Sequence, residues 1–181
     1  MGRSSFLLLP FAKNTATRIF IDMDGTLCEF RHSAKLSDLY EEGYFIGLAP
    51  NLNIIKAAEL LLNDPRFEVF ILSSVLSDSA YALKEKNEWL DRYLPGVDAL
   101  HRIFPPCGEP KAAYIPGGVC ETDILIDDYG VNLASWDARA VKVSKDRQDK
   151  DYEEKKHKHV ISPECEVNAV VRKILEVKNY G

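Results

Sequence analysis

An α/β fold built on a doubly wound parallel sheet is predicted by three features of the chain. Short apolar runs rich in β-branched and aromatic residues recur along it, amphipathic helical patterns lie between them, and polar or turn residues bound each run. Strands that alternate with helices are joined by crossovers, which cover both faces of a parallel sheet. Ligands of such sheets bind beyond the carboxyl ends of the strands. The residues that directly follow each run therefore carry the functional reading.

Four runs read as buried strands: Arg18–Ile21, Glu68–Leu72, His101–Phe104 and Asp123–Ile126. Ala140–Val143 is a fifth, weaker one. Between the first two, Pro50–Asn51 opens a helix that carries Ile54, Ile55, Ala58, Leu61 and Leu62 on one face, and Asn63-Asp64-Pro65 stops it. Ser77 can cap a second helix, in which Ala80, Leu83, Leu90 and Leu94 recur at near-helical spacing before Pro95-Gly96. Ser162-Pro163-Glu164 places Pro at the first position of a C-terminal helix, and Val167, Val170, Val171, Ile174 and Leu175 form its core-facing stripe. Ser144 to His159, dense in both charge signs, reads as a solvated loop or frayed helix. Trp89 and Trp136 are expected to pack against the sheet or line its edge.

The 181 residues fit one compact domain with a small insertion, and 46% hydrophobic content is enough for a sizeable core. Residues 1–16 read as an extension and 17–181 as the domain. The net charge of -5 argues against a broad face for a nucleic-acid polymer. No run approaches the roughly 18 apolar residues of a membrane helix, and the patch from Phe6 to Pro10 is too short for a secretory signal. Cys28, Cys107, Cys120 and Cys165 form no CxxC pair and read as free thiols of a cytoplasmic protein. Oligomeric state stays open, a homodimer included.

After the first strand come Asp22, Asp24, Gly25 and Thr26; after the second, Ser73 and Ser74; beyond the third, Lys111; after the fourth, Asp127 and Asp128. Singly, each has a plain explanation as a turn or a solvated strand end. A parallel sheet, however, brings all four strand ends to one edge. Several carboxylates there repel one another unless a cation is present, and hard oxygen donors suit Mg²⁺, which commonly also binds a substrate phosphate. A lysine and a hydroxyl can hold the remaining phosphate oxygens. The set describes phosphoryl transfer, with charge neutralisation as its main catalytic contribution.

In order, "IFIDMDGTL", "FILSS", Lys111 and "ILIDD" resemble the four motifs of the haloacid dehalogenase (HAD) superfamily of phosphatases, over Ile19 to Asp128. The resemblance implies a Rossmann-like core, with a small cap at about residues 28–50 inserted after the first strand. It makes Asp22 the nucleophile that forms an aspartyl-phosphate, and Asp24 the acid that protonates the leaving oxygen and then deprotonates water. Asp22, Asp127 and the backbone carbonyl of Asp24 would hold Mg²⁺. Ser73 and Ser74 would bind phosphate oxygens, Lys111 would neutralise charge, and Asp128 would act through water or behind the metal ligands. Gly25 suits the sharp turn that follows the strand.

"EEGYFIGLAPNLNIIKAAELL", "EVFILSSV" and "LIDD" resemble the corresponding segments of 5'(3')-deoxyribonucleotidases. That likeness implies a (deoxy)nucleoside monophosphate as the phosphomonoester substrate, with Tyr44 or Phe45 of the cap stacking on the base; the alternative is that both pack the cap on the core. The segment is shorter than the cap of that family's animal members, and Val75 stands where proline often follows the second motif. Three other readings stay open. One is a HAD phosphatase acting on a sugar phosphate or another small metabolite. A receiver-like domain is disfavoured because receivers place their phosphoacceptor on a later strand, and a catalytically silent binding protein because the motif set is intact. His157 and His159 form an HxH pattern that reads as part of a solvated loop, since no nearby ligand completes a transition-metal set. Cys28 lies near the site without a general base and reads as packing.

Overall fold

A computed structural model describes residues 16–30, 35–145 and 159–179. Almost all of the N-terminal extension, Arg31 and His32 of the insertion, His157, and most of the charged stretch before His159 lie outside these residues. The core is an all-parallel sheet of β1 (Thr17–Ile21), β2 (Phe67–Leu72), β3 (Arg102–Ile103), β4 (Ile124–Asp127), β5 (Arg139–Val143) and β6 (Val160–Ile161). Its order is β3-β2-β1-β4-β5-β6, the Rossmann-like doubly wound arrangement. The chain winds outward one way from β1 and the other way from β4. Those two strands pair directly, from Ile19 opposite Ile124 to Ile21 opposite Ile126. The crevice at their carboxyl ends is the topological switch point where such sheets bind ligands.

Alternation along the strands divides the core in two. Ile19, Ile21, Val69, Ile71, Ile124, Ile126, Val141 and Val143 face one cluster. It is covered by α1 (Leu52–Leu62), α2 (Ala82–Tyr93) and α4 (Val167–Asn179). Phe20, Leu72, Leu125 and Ala140 face a smaller cluster, closed by Leu133 of α3 (Gly130–Ala134), Ile115 and Trp136. Trp89 and Trp136 are both buried as expected: Trp89 donates from Nε1 to Leu48 O at 2.9 Å, and Trp136 packs edge-on to Phe20.

Several boundaries differ from expectation. α2 starts at Ala82, not after Ser77; the Oγ of Ser79 accepts from the N–H groups of Tyr81 and Ala82 instead. Ala80 and Leu83 are exposed, and the buried face is Ala82, Glu85, Lys86, Trp89 and Leu90. β3 keeps only two of its four expected residues. Asp98 caps a 3-10 turn over Ala99–His101 before it, and Pro105-Pro106, which lack the N–H groups a strand needs, follow Phe104. β4 is shifted by one residue, so Asp127 ends the strand itself, while Asp123 outside it pairs with Arg18. α4 begins at Val167; Ser162 Oγ accepts from Glu164 N–H in the turn ahead of it. Neither α3 nor β6 was expected.

The segment from Cys28 to Pro50 is rooted beside the switch point. Cys28 and Pro50 form an antiparallel bridge, and Glu29 N–H donates to Ala49 O at 2.8 Å. Its described part holds a 3-10 turn over Leu36–Tyr40 and then folds onto α2, burying Tyr44, Phe45 and Leu48 in the larger core cluster. The clamp is Glu85, whose buried carboxylate accepts from the N–H groups of Gly43 at 2.6 Å, Phe45 at 2.9 Å and Ile46 at 3.3 Å.

Candidate active site

β1 runs as an apolar strand to Ile21 and delivers Asp22 to the switch point, where its N–H donates to Ile126 O at 2.9 Å. Lys111 opens a 3-10 turn over Lys111–Tyr114, and its buried Nζ lies 2.6 Å from both Asp22 Oδ1 and Asp127 Oδ2. Asp127 is fixed further by the Tyr129 N–H at 2.8 Å and by Asn132 Nδ2 at 3.0 Å. The next residue turns its carboxylate against the loop after β1. Gly25 there has φ of 80°, and a Cβ at that position would land on the Asp128 carboxylate. Glycine is needed both for the turn and for the close approach.

Asp22, Asp127 and Asp128 each place a carboxylate oxygen within 4.8 Å of the others. Burial, then Asp22, raises Asp127 to about 6 against the opposing pull of Lys111. Burial raises Asp128 to about 8, with Asp22 and Asp127 adding to it. Burial works against the charge of Lys111, but the two carboxylates it touches outweigh that and hold its ammonium above the ordinary value. This crowding of oxygen donors is the donor chemistry that fits a hard divalent cation such as Mg²⁺. Among the described residues it is the one such cluster, and His159 belongs to none.

Asp24 takes a different partner. Its carboxylate, 22% exposed, accepts from Lys86 Nζ at 2.6 Å. The same ammonium donates to Ser73 Oγ at 3.0 Å and to Ser74 O at 2.7 Å, and sits 5.0 Å from the Phe45 ring centre. Lys86 is fully buried, so a charge in the middle of a helix is neutralised entirely by the loops after β1 and β2. Burial raises the Asp24 acid above its ordinary value, opposed chiefly by Lys86. Ser73 is held by its N–H to Ile103 O at 3.1 Å and is buried, whereas Ser74 lines the open cleft. Cys28 donates to Met23 O at 3.2 Å, and burial, with Asp24 behind it, pushes its thiol well up, so it packs rather than reacts. None of the four cysteines forms a disulfide.

These groups line a cleft of about 820 Å3 that contains Asp22, Asp24, Ser74, Lys111 and Asp128. The structure thus brings together seven of the expected residues, with Asp127 behind Lys111 and Ser73 behind Lys86. Tyr44 and Phe45 do not join them. They are 7% and 3% exposed, meet edge to face at 5.0 Å, and belong to the core, so the packing alternative describes their position. The aromatic residues on the cleft are Phe30 and Tyr129.

Lys86 was missed because "ALKEKNEWL" reads as a solvated helix face. The available signal was its place four residues after Ala82 and three before Trp89, on the stripe that those apolar residues define. The chain matches no protein-family model and no curated protein.

Proposed function

We propose that the protein is a Mg²⁺-dependent phosphomonoester hydrolase of the HAD type that works through an aspartyl-phosphate. The observation that carries this reading is the division of labour between two neighbouring aspartates. Asp22 is set among Lys111, Asp127 and Asp128, a place for phosphate and cation, whereas Asp24 is withdrawn onto Lys86, with burial raising its acid above the ordinary value.

In the proposed reaction a carboxylate oxygen of Asp22 attacks phosphorus, and the bond from phosphorus to the ester oxygen breaks. Asp24 gives its proton to that departing oxygen, which leaves as the alcohol. A water then attacks the phosphorus of the aspartyl-phosphate and passes its proton to Asp24, returning Asp22 as carboxylate and inorganic phosphate as product. Lys111 holds the negative oxygens and Ser74 lines their approach, while Lys86 behind them fixes Asp24 and Ser73. Asp22, Asp127 and the Asp24 carbonyl would hold Mg²⁺, with Asp128 close enough to share it; the ion would supply charge neutralisation for the transferring group.

The motif resemblance supports (deoxy)nucleoside monophosphates as substrates, and the cleft volume lies within the range of about 300–1,000 Å3 typical of small-molecule sites. The burial of Tyr44 and Phe45 favours a second reading, a phosphatase of smaller phosphorylated metabolites. Phosphate release from a panel of deoxynucleotides and sugar phosphates, with Mg²⁺ and with chelator, tests both. Metal-dependent release with a nucleotide preference supports the first, and the absence of release from any member removes the hydrolase reading.

A further inference from the structure

The cleft is also lined by side chains that have no use in the chemistry above. Among them are Pro110 and, at the start of α3, Tyr129 and Val131, which are 60% and 61% exposed. Single exposed apolar side chains are ordinary on any surface. Here two of them, two positions apart, open on the same cavity as Asp22 and Asp24.

Their backbone is held firmly. The Tyr129 N–H donates to Asp127 Oδ1, the Tyr129 carbonyl accepts from Asn132 N–H at 3.1 Å, and Asn132 Nδ2 returns to Asp127. Leu133 and Trp136, both buried, anchor the far end of α3 to the sheet. The ring is thus mounted two residues from the Asp127 carboxylate without being packed itself. Phe30 lines the same cavity. A preorganised aromatic face beside a phosphate site binds a flat apolar group with little ordering cost.

We propose that Tyr129, with Val131 beside it, is the specificity-determining ledge of the cleft, and that it receives the planar ring of the alcohol released from the phosphomonoester. The proposal rests on the phosphatase reading for the identity of the anionic end and departs from the sequence-based expectation that the cap supplies the aromatic contact. The ring of Tyr129 touches the leaving group and takes no part in proton transfer.

Binding and turnover separate the two ideas. Asp22→Asn protein, which holds substrate without consuming it, is titrated calorimetrically with phenyl phosphate and with ethyl phosphate, which differ in the ring alone. Adding Tyr129→Ala should weaken phenyl phosphate by about five- to tenfold and leave ethyl phosphate unchanged, and Tyr129→Phe should restore the wild-type difference. Equal weakening of both esters, no weakening of either, or failure of phenyl phosphate to bind would overturn the ledge. So would Tyr129-dependent self-association with both affinities unchanged, which would assign the face to a second copy of the chain. In the otherwise wild-type protein, Tyr129→Ala should raise KM for phenyl phosphate with kcat nearly constant. Ring-selective binding without any turnover would leave the ledge standing and remove the hydrolase reading.

Discussion

Replacing Lys86 by methionine keeps the length of the side chain and removes its charge. The ammonium is fully buried and satisfies Asp24 Oδ2, Ser73 Oγ and Ser74 O at once, so the variant strands a carboxylate and two polar oxygens. Removing one partner of a buried ion pair costs about 3–5 kcal/mol. For a chain of this length that lowers the melting temperature by about 10 °C. The loss must depend on pH. Burial already lifts Asp24 above its ordinary value, and without Lys86 the lift is greater. A carboxyl whose folded-state value is raised above that of the unfolded chain takes up a proton as the pH falls, and the stranded charge disappears. Urea unfolding of wild type and Lys86→Met should therefore differ most at about pH 8 and least at about pH 5. A loss below about 1 kcal/mol, or a larger loss at the acidic pH, would refute the assignment of Lys86 as the counter-ion of Asp24.

Three further perturbations have definite outcomes. Gly25→Ala forces a left-handed residue, which costs about 1–2 kcal/mol, and pushes Asp128 out of the carboxylate cluster. Phosphatase activity should drop by about 100-fold with the circular dichroism spectrum retained. In chelator, Asp127 near 6 and Asp128 near 8 keep protons that the unfolded chain has already released above about pH 4. Stability should then fall as pH rises toward about 8, by up to about 1.4 kcal/mol per pH unit for each group still titrating, and Mg²⁺ should restore it most at the upper end. A flat urea midpoint from acid to pH 8 would contradict that cluster. Glu85→Ala leaves the N–H groups of Gly43, Phe45 and Ile46 without their acceptor and should cost about 3 kcal/mol, with amide exchange at residues 43–46 accelerated well beyond that of the β1 strand.

The central half of the sheet was readable because its residues obey one rule at a time. Ile19 to Ile21 and Ile124 to Ile126 are continuous apolar strands, and the carboxylates stand directly at their ends. The topology then places Asp22 and Asp127 together without further information. Where two rules compete, reading by pattern failed. Glu85 and Lys86 lie on the buried stripe of α2, yet their charge marks them as surface, because burial is decided by partners that lie up to 62 residues away in the chain. β6 and α3 are too short to show a period, at two and five residues, and are held by neighbours rather than by their own propensity. Tyr44 and Phe45 read equally well as base-stacking or core-packing residues, and they lie in the core; the side on which an aromatic residue of a short insertion lands depends on the Glu85 clamp, which no local pattern reveals.

The covalent step is the most exposed part of the proposal. Rapid acid quench of the Mg²⁺-loaded protein during turnover of a phosphomonoester, followed by peptide mass spectrometry, should find a phosphoryl group on Asp22. Asp22→Asn should show neither that adduct nor turnover while unfolding in urea as cooperatively as wild type. Normal turnover by Asp22→Asn, or a phosphoryl group on any other residue, would contradict the role given to the aspartate at the end of β1.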